Sequence, residues 1–296
     1  MVSSTGSSNT SSSNGARELV RNFQFDLCAS EDLSQGQFFR ASGVIPLLES
    51  VVDGYLATIF AYGQTGSGKT YSMSGLDELL VGTGPRVERV KISVNTTELS
   101  DGLIPRALKH LFTLLEQAPS EVKTVVRASY CEIYNEQVFD LLNPGSGSLN
   151  VRWNARAGFY VQDLLVVRCD SLSDVLAVVD EGHRNRRVSG HGMNADSSRS
   201  HSLLTVHVDR TETHESDSGG SRGVTRYGKM SFVDLAGSER LKETRSTNAE
   251  ETSNINRSLL TLGKVISALA ASSSTARANN AITGANNFIP YRDIPA

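Results

Sequence analysis

Gly63-Gln64-Thr65-Gly66-Ser67-Gly68-Lys69-Thr70 satisfies the phosphate-loop pattern G-x-x-x-x-G-K-[ST] at every position. The chemistry follows from the residue types. The glycines let the backbone curl so that successive N–H groups point inward at an anion. Lys69 brings a positive charge to the β- and γ-phosphates, and the Thr70 hydroxyl is suited to Mg²⁺. Two further clusters could complete such a site. Met230-Ser231-Phe232-Val233-Asp234 is an apolar run ending in a carboxylate, which can hold Mg²⁺ opposite Thr70. Alone, an apolar strand ending in Asp is commonplace. In Leu235-Ala236-Gly237-Ser238-Glu239, Gly237 lets a backbone N–H approach a γ-phosphate closely. Asn194-Ala195-Asp196-Ser197-Ser198-Arg199-Ser200-His201 gathers hydroxyls, a guanidinium and an imidazole. That cluster could reach Mg²⁺, the γ-phosphate and an attacking water. It also reads as a capped turn before a strand, where a lone histidine is more often structural than catalytic.

These groups need elements to hold them. Thr58 to Tyr62 is an apolar run suited to a buried parallel strand, and a helix beginning at the loop would aim its dipole at the phosphates. Phe38, Phe39, Val44, Ile45, Leu48 and Val52 recur at roughly helical spacing despite Pro46. Residues 76–100 read as a long loop with a short hairpin near Val90 to Val94. Ile104, Leu108, Leu111 and Leu115 mark one face of a helix entered through Pro105. Val122 to Tyr134 is rich in β-branched and aromatic residues and predicts a strand, and Asn143 to Gly147 a turn. One or two strands are expected between Val151 and Val167, and an amphipathic helix over Asp174 to Val188. Leu204, Val206 and Val208 alternate as a strand, with a polar hairpin loop over Thr211 to Arg222. Helical spacing returns through Ile255, Leu259, Leu262, Ile266 and Leu269, followed by a long polar loop from Ser272 to Asn287. Strands and helices around a phosphate loop predict an α/β fold with a mainly parallel central sheet flanked by helices.

The chain has 296 residues, 39% of them hydrophobic, enough for a sizeable core. Its net charge of −3 supplies no global field toward nucleic acid or anionic membranes. Cys28, Cys131 and Cys169 are scattered and lack metal-ligand spacing, which favours a reducing compartment. With no leader and no bilayer-length apolar run, the expectation is a cytosolic protein. Met1 to Gly15, almost all Ser, Thr, Asn and Gly, predicts a disordered tail, leaving residues 16–296 as the folded unit.

In order along the chain, GQTGSGKT, NADSSRSH and DLAGSE resemble the three nucleotide-sensing elements of the kinesin motor domain. Glu132-Ile133-Tyr134-Asn135-Glu136, Asn254 to Leu259 and Ile289 to Asp293 are similar to further kinesin signatures. The resemblance covers roughly Phe23 to Asp293. The runs Val151 to Asn154 and Gly158 to Val161 resemble the branch of kinesin family member 12. The resemblance implies a P-loop NTPase kinesin-motor fold that binds and hydrolyses Mg-ATP on microtubules, hence a cytoplasmic, cytoskeletal protein.

Carried over residue by residue, Gly63 to Thr70 would bind the phosphates, with Tyr71 beside the adenine. Asn194, Ser197 and Ser198 would form the first switch, with the serines at Mg²⁺, the γ-phosphate and the lytic water. Asp234, Gly237 and Glu239 would form the second. Arg199 and Glu239 would pair across the γ-phosphate, and catalysis would be positioning plus charge stabilisation. Microtubule contacts would fall on Arg152, Arg156, Arg240, Lys242, Arg257, Lys264, Arg277 and Arg292, each of which also reads as an ordinary solvated cation. The chain departs from the family at both ends. The N-terminal strand with its Arg-Pro adenine-binding segment and the elements after Ile294-Pro295-Ala296 are expected to be missing, and no heptads follow. That leaves a truncated, weakly active or regulatory fragment as an alternative to a motor ATPase. A GTPase is disfavoured because no Asn-Lys-x-Asp motif is present.

Overall fold

The computed structural model describes residues 22–75, 101–155, 158–189, 199–215, 221–239 and 249–278. The elements run α1 (Gln35–Ala41), α2 (Val44–Val52), β1 (Leu56–Ala61), α3 (Lys69–Ser74), α4 (Leu103–Glu116), β2 (Val122–Tyr134) and β3 (Gln137–Asp140). A 3₁₀ turn at Pro144–Ser146 leads to β4 (Ser148–Leu149), β5 (Val151–Asn154), β6 (Gly158–Val161) and β7 (Val167–Cys169). Then come α5 (Leu172–Ser189), β8 (His201–Glu215), β9 (Ser221–Asp234) and α6 (Ala249–Ala278).

Local chemistry accounts for most boundaries. The backbone N–H of Gln37 donates to Ser34 Oγ while the Ser34 N–H donates to Gln37 Oε1, a reciprocal cap that starts α1. Ser171 and Asp174 do the same for α5. The helical run expected from Phe38 to Val52 breaks at Gly43, whose φ of 77° ends one helix and begins the next. Pro46 is harmless because it lies in the first turn of α2. Asn135 and Glu136 both have positive φ, 49° and 63°, giving the tight turn that joins β2 to β3.

The main sheet has seven strands in the order β1-β9-β8-β2-β3-β4, with β7 also on β2; β5 and β6 form a separate hairpin. Its pairing corrects one expectation. Among the described residues only β1 with β9 is parallel; β2 pairs antiparallel with β3, β7 and β8, β3 with β4, and β8 with β9. The reason is connectivity. A two-residue turn joins β2 to β3, and only five residues separate β8 from β9 in sequence, a spacing compatible with antiparallel neighbours and too short for a parallel crossover. The predicted polar loop over Thr211 to Arg222 is mostly strand, since pairing continues to Glu215 with Ser221.

Register places the core. Val126, Val208 and Gly228 share a row, followed by Ala128–Val206–Met230–Ala57 and Tyr130–Leu204–Phe232–Ile59. α2, α4 and α5 cover this face with Leu48, Val51, Leu108, Leu111, Val175 and Val179, all essentially buried. Two glycines let the layers close. A Cβ on Gly182 of α5 would sit 2.0 Å from the Tyr130 ring, and one on Gly228 would sit 1.9 Å from the Val51 carbonyl oxygen. β1 is less buried than its sequence predicts: Ala57 is buried, but Leu56 and Phe60, which alternate onto the opposite face from Ala57 and Ile59, are exposed. α6 also differs from expectation. Among its described residues Thr261 and Val265 are buried while Ile266 and Leu269 are exposed, and the helix continues through residues predicted as loop, to Ala278.

Candidate functional site

Register extends the core into the site. One step beyond Tyr130–Leu204–Phe232 the same face carries Glu132, Ser202 and Asp234, with Ala61 beside Asp234. An apolar row thus gives way to a polar one where β1 ends and the phosphate loop begins. Four residues after Gly182, Arg186 of α5 closes over this row. Its guanidinium donates to Asp234 Oδ2 at 3.3 Å and Ser202 Oγ at 3.1 Å, and lies 3.5 Å from Glu132 Oε1. It also donates to the Ser200 carbonyl at 3.3 Å. Both carboxylate side chains and Arg186 are about nine-tenths buried or more, so each charge depends on the others.

Gly66 and Gly68, with φ of 78° and 87°, take the left-handed conformation the loop requires. Ser67 N–H donates to the Gln64 carbonyl, and Lys69 Nζ to the same oxygen at 3.0 Å. Leu235 N–H donates to the Ala61 carbonyl and Ser238 N–H to the Gly63 carbonyl, so the chain after β9 runs along the loop. The Thr70 hydroxyl donates to Asp234 Oδ2 at 2.7 Å. Asp234 Oδ1 is buried with no hydrogen-bond partner among the described residues. A hydroxyl oxygen and a carboxylate with unused lone pairs suit a hard divalent cation, so Thr70 and Asp234 fit the expected Mg²⁺.

Glu239 reaches back to the loop. Thr65 donates to it twice, from its N–H at 2.9 Å and from its hydroxyl. Burial works to raise the carboxyl pKa, but the Thr65 hydrogen bonds and the Lys69 charge outweigh it and hold Glu239 below the usual carboxylate range. Gly237 lies beneath this contact: a Cβ there would sit 2.5 Å from Thr65 Oγ1. In this structure Thr65 holds Glu239. Tyr71, half-exposed, follows the loop; its carbonyl accepts from the buried Gln35 side chain at 2.8 Å.

His201 begins β8 on the opposite face from Ser202. Its Nδ1 accepts from Ala236 N–H at 2.9 Å, and its Nε2 lies 2.9 Å from Ser258 Oγ. Burial, then the Arg186 charge, pushes its pKa down to about 4 against the pull of Asp234.

Asn194, Ser197 and Ser198 lie outside the described residues, as do Arg156, Arg240, Lys242 and Arg292. Arg152, Arg257 and Lys264 are exposed, and Arg277 lies within the α6 span. Arg152 Nε donates to Gln162 across the β5–β6 hairpin, and Arg257 lies near Glu136, whose carboxyl is raised by burial against that charge. The sequence does not single out Arg186, and gives Glu132 only within the signature Glu132 to Glu136; the structure places both against Asp234 and Ser202. A carboxylate within a β-branched, aromatic strand signals a buried partner, but the run Arg184-Asn185-Arg186-Arg187 looks like the solvated end of a helix. Among the described residues no His, Cys, Asp or Glu cluster could hold a metal on its own, and no helix is long and apolar enough to cross a membrane.

A family profile described as the kinesin motor domain matches residues 2–294. Kinesin-like protein KIN-12E of Arabidopsis thaliana is 39% identical over 92% of this chain and 20% of its own length. The Oryza sativa subsp. japonica protein of the same name is 36% identical over 92% of the chain and 13% of its own length. Kinesin-related protein 1 of Dictyostelium discoideum is 41% identical over 83% of the chain and 10% of its own length. The chain therefore spans a fifth or less of these relatives. A solved structure of a fast kinesin superposes with a TM-score of 0.71 at 32% identity, over 92% of this chain and 67% of that one. Those matches fall on a chain whose phosphate loop, Asp234 and Glu239 meet at one end of the sheet, and the chain belongs to the kinesin motor-domain family.

Proposed function

We propose that this chain binds Mg-ATP and hydrolyses it in response to a microtubule, as a cytoplasmic, cytoskeletal motor unit. The observation that carries the reading is the hydrogen bond from Thr70 to Asp234, which brings the loop hydroxyl and the strand-end carboxylate to one point. In this reading Gly63 to Thr70 cradle the phosphates, and Lys69 turns from the Gln64 carbonyl to a phosphate oxygen. Thr70, Asp234 and Ser197 hold Mg²⁺, which screens phosphate charge when bound. Asn194 and Ser198 position the water with the Gly237 N–H. Glu239 leaves Thr65 to pair with Arg199 as the switches close. Tyr71 flanks the adenine.

The partner surface is acidic, and the basic residues named for it support an electrostatically steered encounter. Arg152, Arg257 and Lys264 are exposed as such a contact requires. ATP turnover by the purified chain, with Lys69→Ala as control, tests the nucleotide half of the reading; equal turnover in both would reject it. GTP hydrolysis at the same efficiency would reject the adenine assignment.

A further inference from the structure

Thr65 gives Glu239 both of its donors, the N–H to Oε2 at 2.9 Å and the hydroxyl to Oε1, across 174 positions of sequence. The N–H belongs to the phosphate loop, and the Lys69 charge acts on the same carboxylate. A loop amide, a loop hydroxyl and the loop lysine are the kinds of partner this loop offers an anion. Here the chain's own carboxylate takes them. Burial raises the Glu239 carboxyl, yet the Thr65 bonds and the Lys69 charge keep it below the usual carboxylate range, so it is ionised at neutral pH. Its place is fixed as well. A Cβ on Gly237 would sit 2.4 Å from Glu239 Oε2 and 2.5 Å from Thr65 Oγ1, so carboxylate and hydroxyl both pack on the Gly237 backbone. Thr65 itself is exposed, open to an incoming ligand.

We propose that Thr65 is a specificity-determining residue: by holding the Glu239 carboxylate on Gly237, it makes a nucleoside triphosphate displace a bound anion that a diphosphate leaves in place. The proposal rests on the nucleotide reading above, which puts the terminal phosphate at the Gly237 N–H, and adds what that phosphate competes with. Two anions cannot share the position. Their charges repel, and the Thr65 N–H and hydroxyl have one proton each to donate. A triphosphate therefore binds the fraction of chains in which Glu239 has let go, and its apparent affinity is reduced by that fraction. A diphosphate, cradled by the rest of the loop, stops short of Gly237 and leaves the Thr65–Glu239 contact intact. Thr65 thus lowers the ratio of triphosphate to diphosphate affinity, and weakening its hold on Glu239 raises that ratio. A hydroxyl acting as a direct phosphate ligand has the opposite sign.

The test is titration calorimetry with Mg²⁺ present, using ADP and adenylyl imidodiphosphate, a triphosphate analogue that resists hydrolysis. The proteins are wild type, Thr65→Val, Thr65→Ser, Glu239→Ala and the Thr65→Val/Glu239→Ala double variant. Thr65→Val keeps the branch and the N–H but loses a hydrogen bond to a charged group, so it should bind the analogue about tenfold tighter. Its ADP affinity should stay at the wild-type value. Thr65→Ser, which keeps the hydroxyl, should keep the wild-type ratio of the two affinities. Once Glu239 is alanine, Thr65→Val should add nothing. Weaker analogue binding by Thr65→Val would make the hydroxyl a phosphate ligand and overturn the proposal. An equal gain for ADP would overturn it too, since the carboxylate would then oppose any nucleotide. So would no change in Thr65→Val, or a gain that persists without Glu239. A wild-type chain that binds neither nucleotide would reject the nucleotide reading itself, and this proposal with it.

Discussion

The Thr70 hydroxyl donates to Asp234 Oδ2 at 2.7 Å across 164 positions of sequence. That contact exists because β1 and β9 are parallel neighbours in register, with Ala61 opposite Asp234, so both strands deliver their ends to the same point. Thr70→Val keeps the side-chain volume and removes the donor and the oxygen ligand. It should abolish the Mg²⁺ dependence of nucleotide affinity while leaving the melting temperature of the nucleotide-free chain within a few degrees. Titration calorimetry of ATP with and without Mg²⁺ checks this, and an unchanged Mg²⁺ effect would remove Thr70 from the cation site.

Among the described residues Lys69 Nζ donates to the Gln64 carbonyl within the loop, and its charge acts on Glu239. Lys69→Ala should therefore leave the fold intact and cut ATP turnover at least 100-fold, the scale expected for a lost transition-state charge. Turnover within threefold of wild type would defeat the phosphate-loop assignment.

Arg186 is the counter-charge for two buried carboxylates. Arg186→Met leaves Glu132 and Asp234 facing each other without it and should cost about 3–5 kcal/mol of stability. Urea denaturation measures the loss. Adding Glu132→Gln should recover part of it, because one of the stranded charges is gone; strict additivity would show that the three do not form a unit.

His201 makes stability depend on pH. Its folded pKa of about 4 lies below the unfolded value near 6.5, so between these values the unfolded chain binds the extra proton. The stabilisation is therefore complete above about pH 6.5 and lost as pH falls toward 4, on the order of 3 kcal/mol in all. Arg186 and Asp234 are the charges acting on the ring, in opposite senses, and Asn or Gln variants of His201, which have no titrating ring, should lose this part of the pH dependence. A wild-type chain with a flat profile across that window would contradict the buried, neutral imidazole.

Much of this was legible in the residues. The phosphate loop, the strand ending in Asp234 and the Gly237–Glu239 segment were read from types and spacing, and the structure brings them together. The face of β2 and β8 was legible too, from alternation through Leu204, Val206 and Val208. What alternation cannot say is that the row after Tyr130 and Leu204 turns polar and is closed by α5. Arg186 is visible only once Gly182 has docked against Tyr130, a tertiary fact. The predominance of antiparallel pairing escaped for a related reason. Phosphate-loop strands imply parallel neighbours, but Asn135 and Glu136 had to adopt positive φ before the β2–β3 turn was evident. The hold of Thr65 on Glu239 was likewise hidden, since it joins two motifs that were read separately.

The expected pairing of Arg199 with Glu239 in the closed site gives a sharp kinetic test. If both act on the same γ-phosphate, then Arg199→Ala, Glu239→Ala and the double variant should lose similar amounts of turnover. Multiplicative losses in the cycle would show independent roles.

The most direct test of the central claim is steady-state ATPase of the wild-type chain with and without microtubules at physiological salt. The motor reading predicts slow basal hydrolysis that rises severalfold, saturates with microtubule concentration, and weakens as added salt screens the basic contacts. Hydrolysis that microtubules leave unchanged, or nucleotide binding with no hydrolysis in either condition, would contradict it.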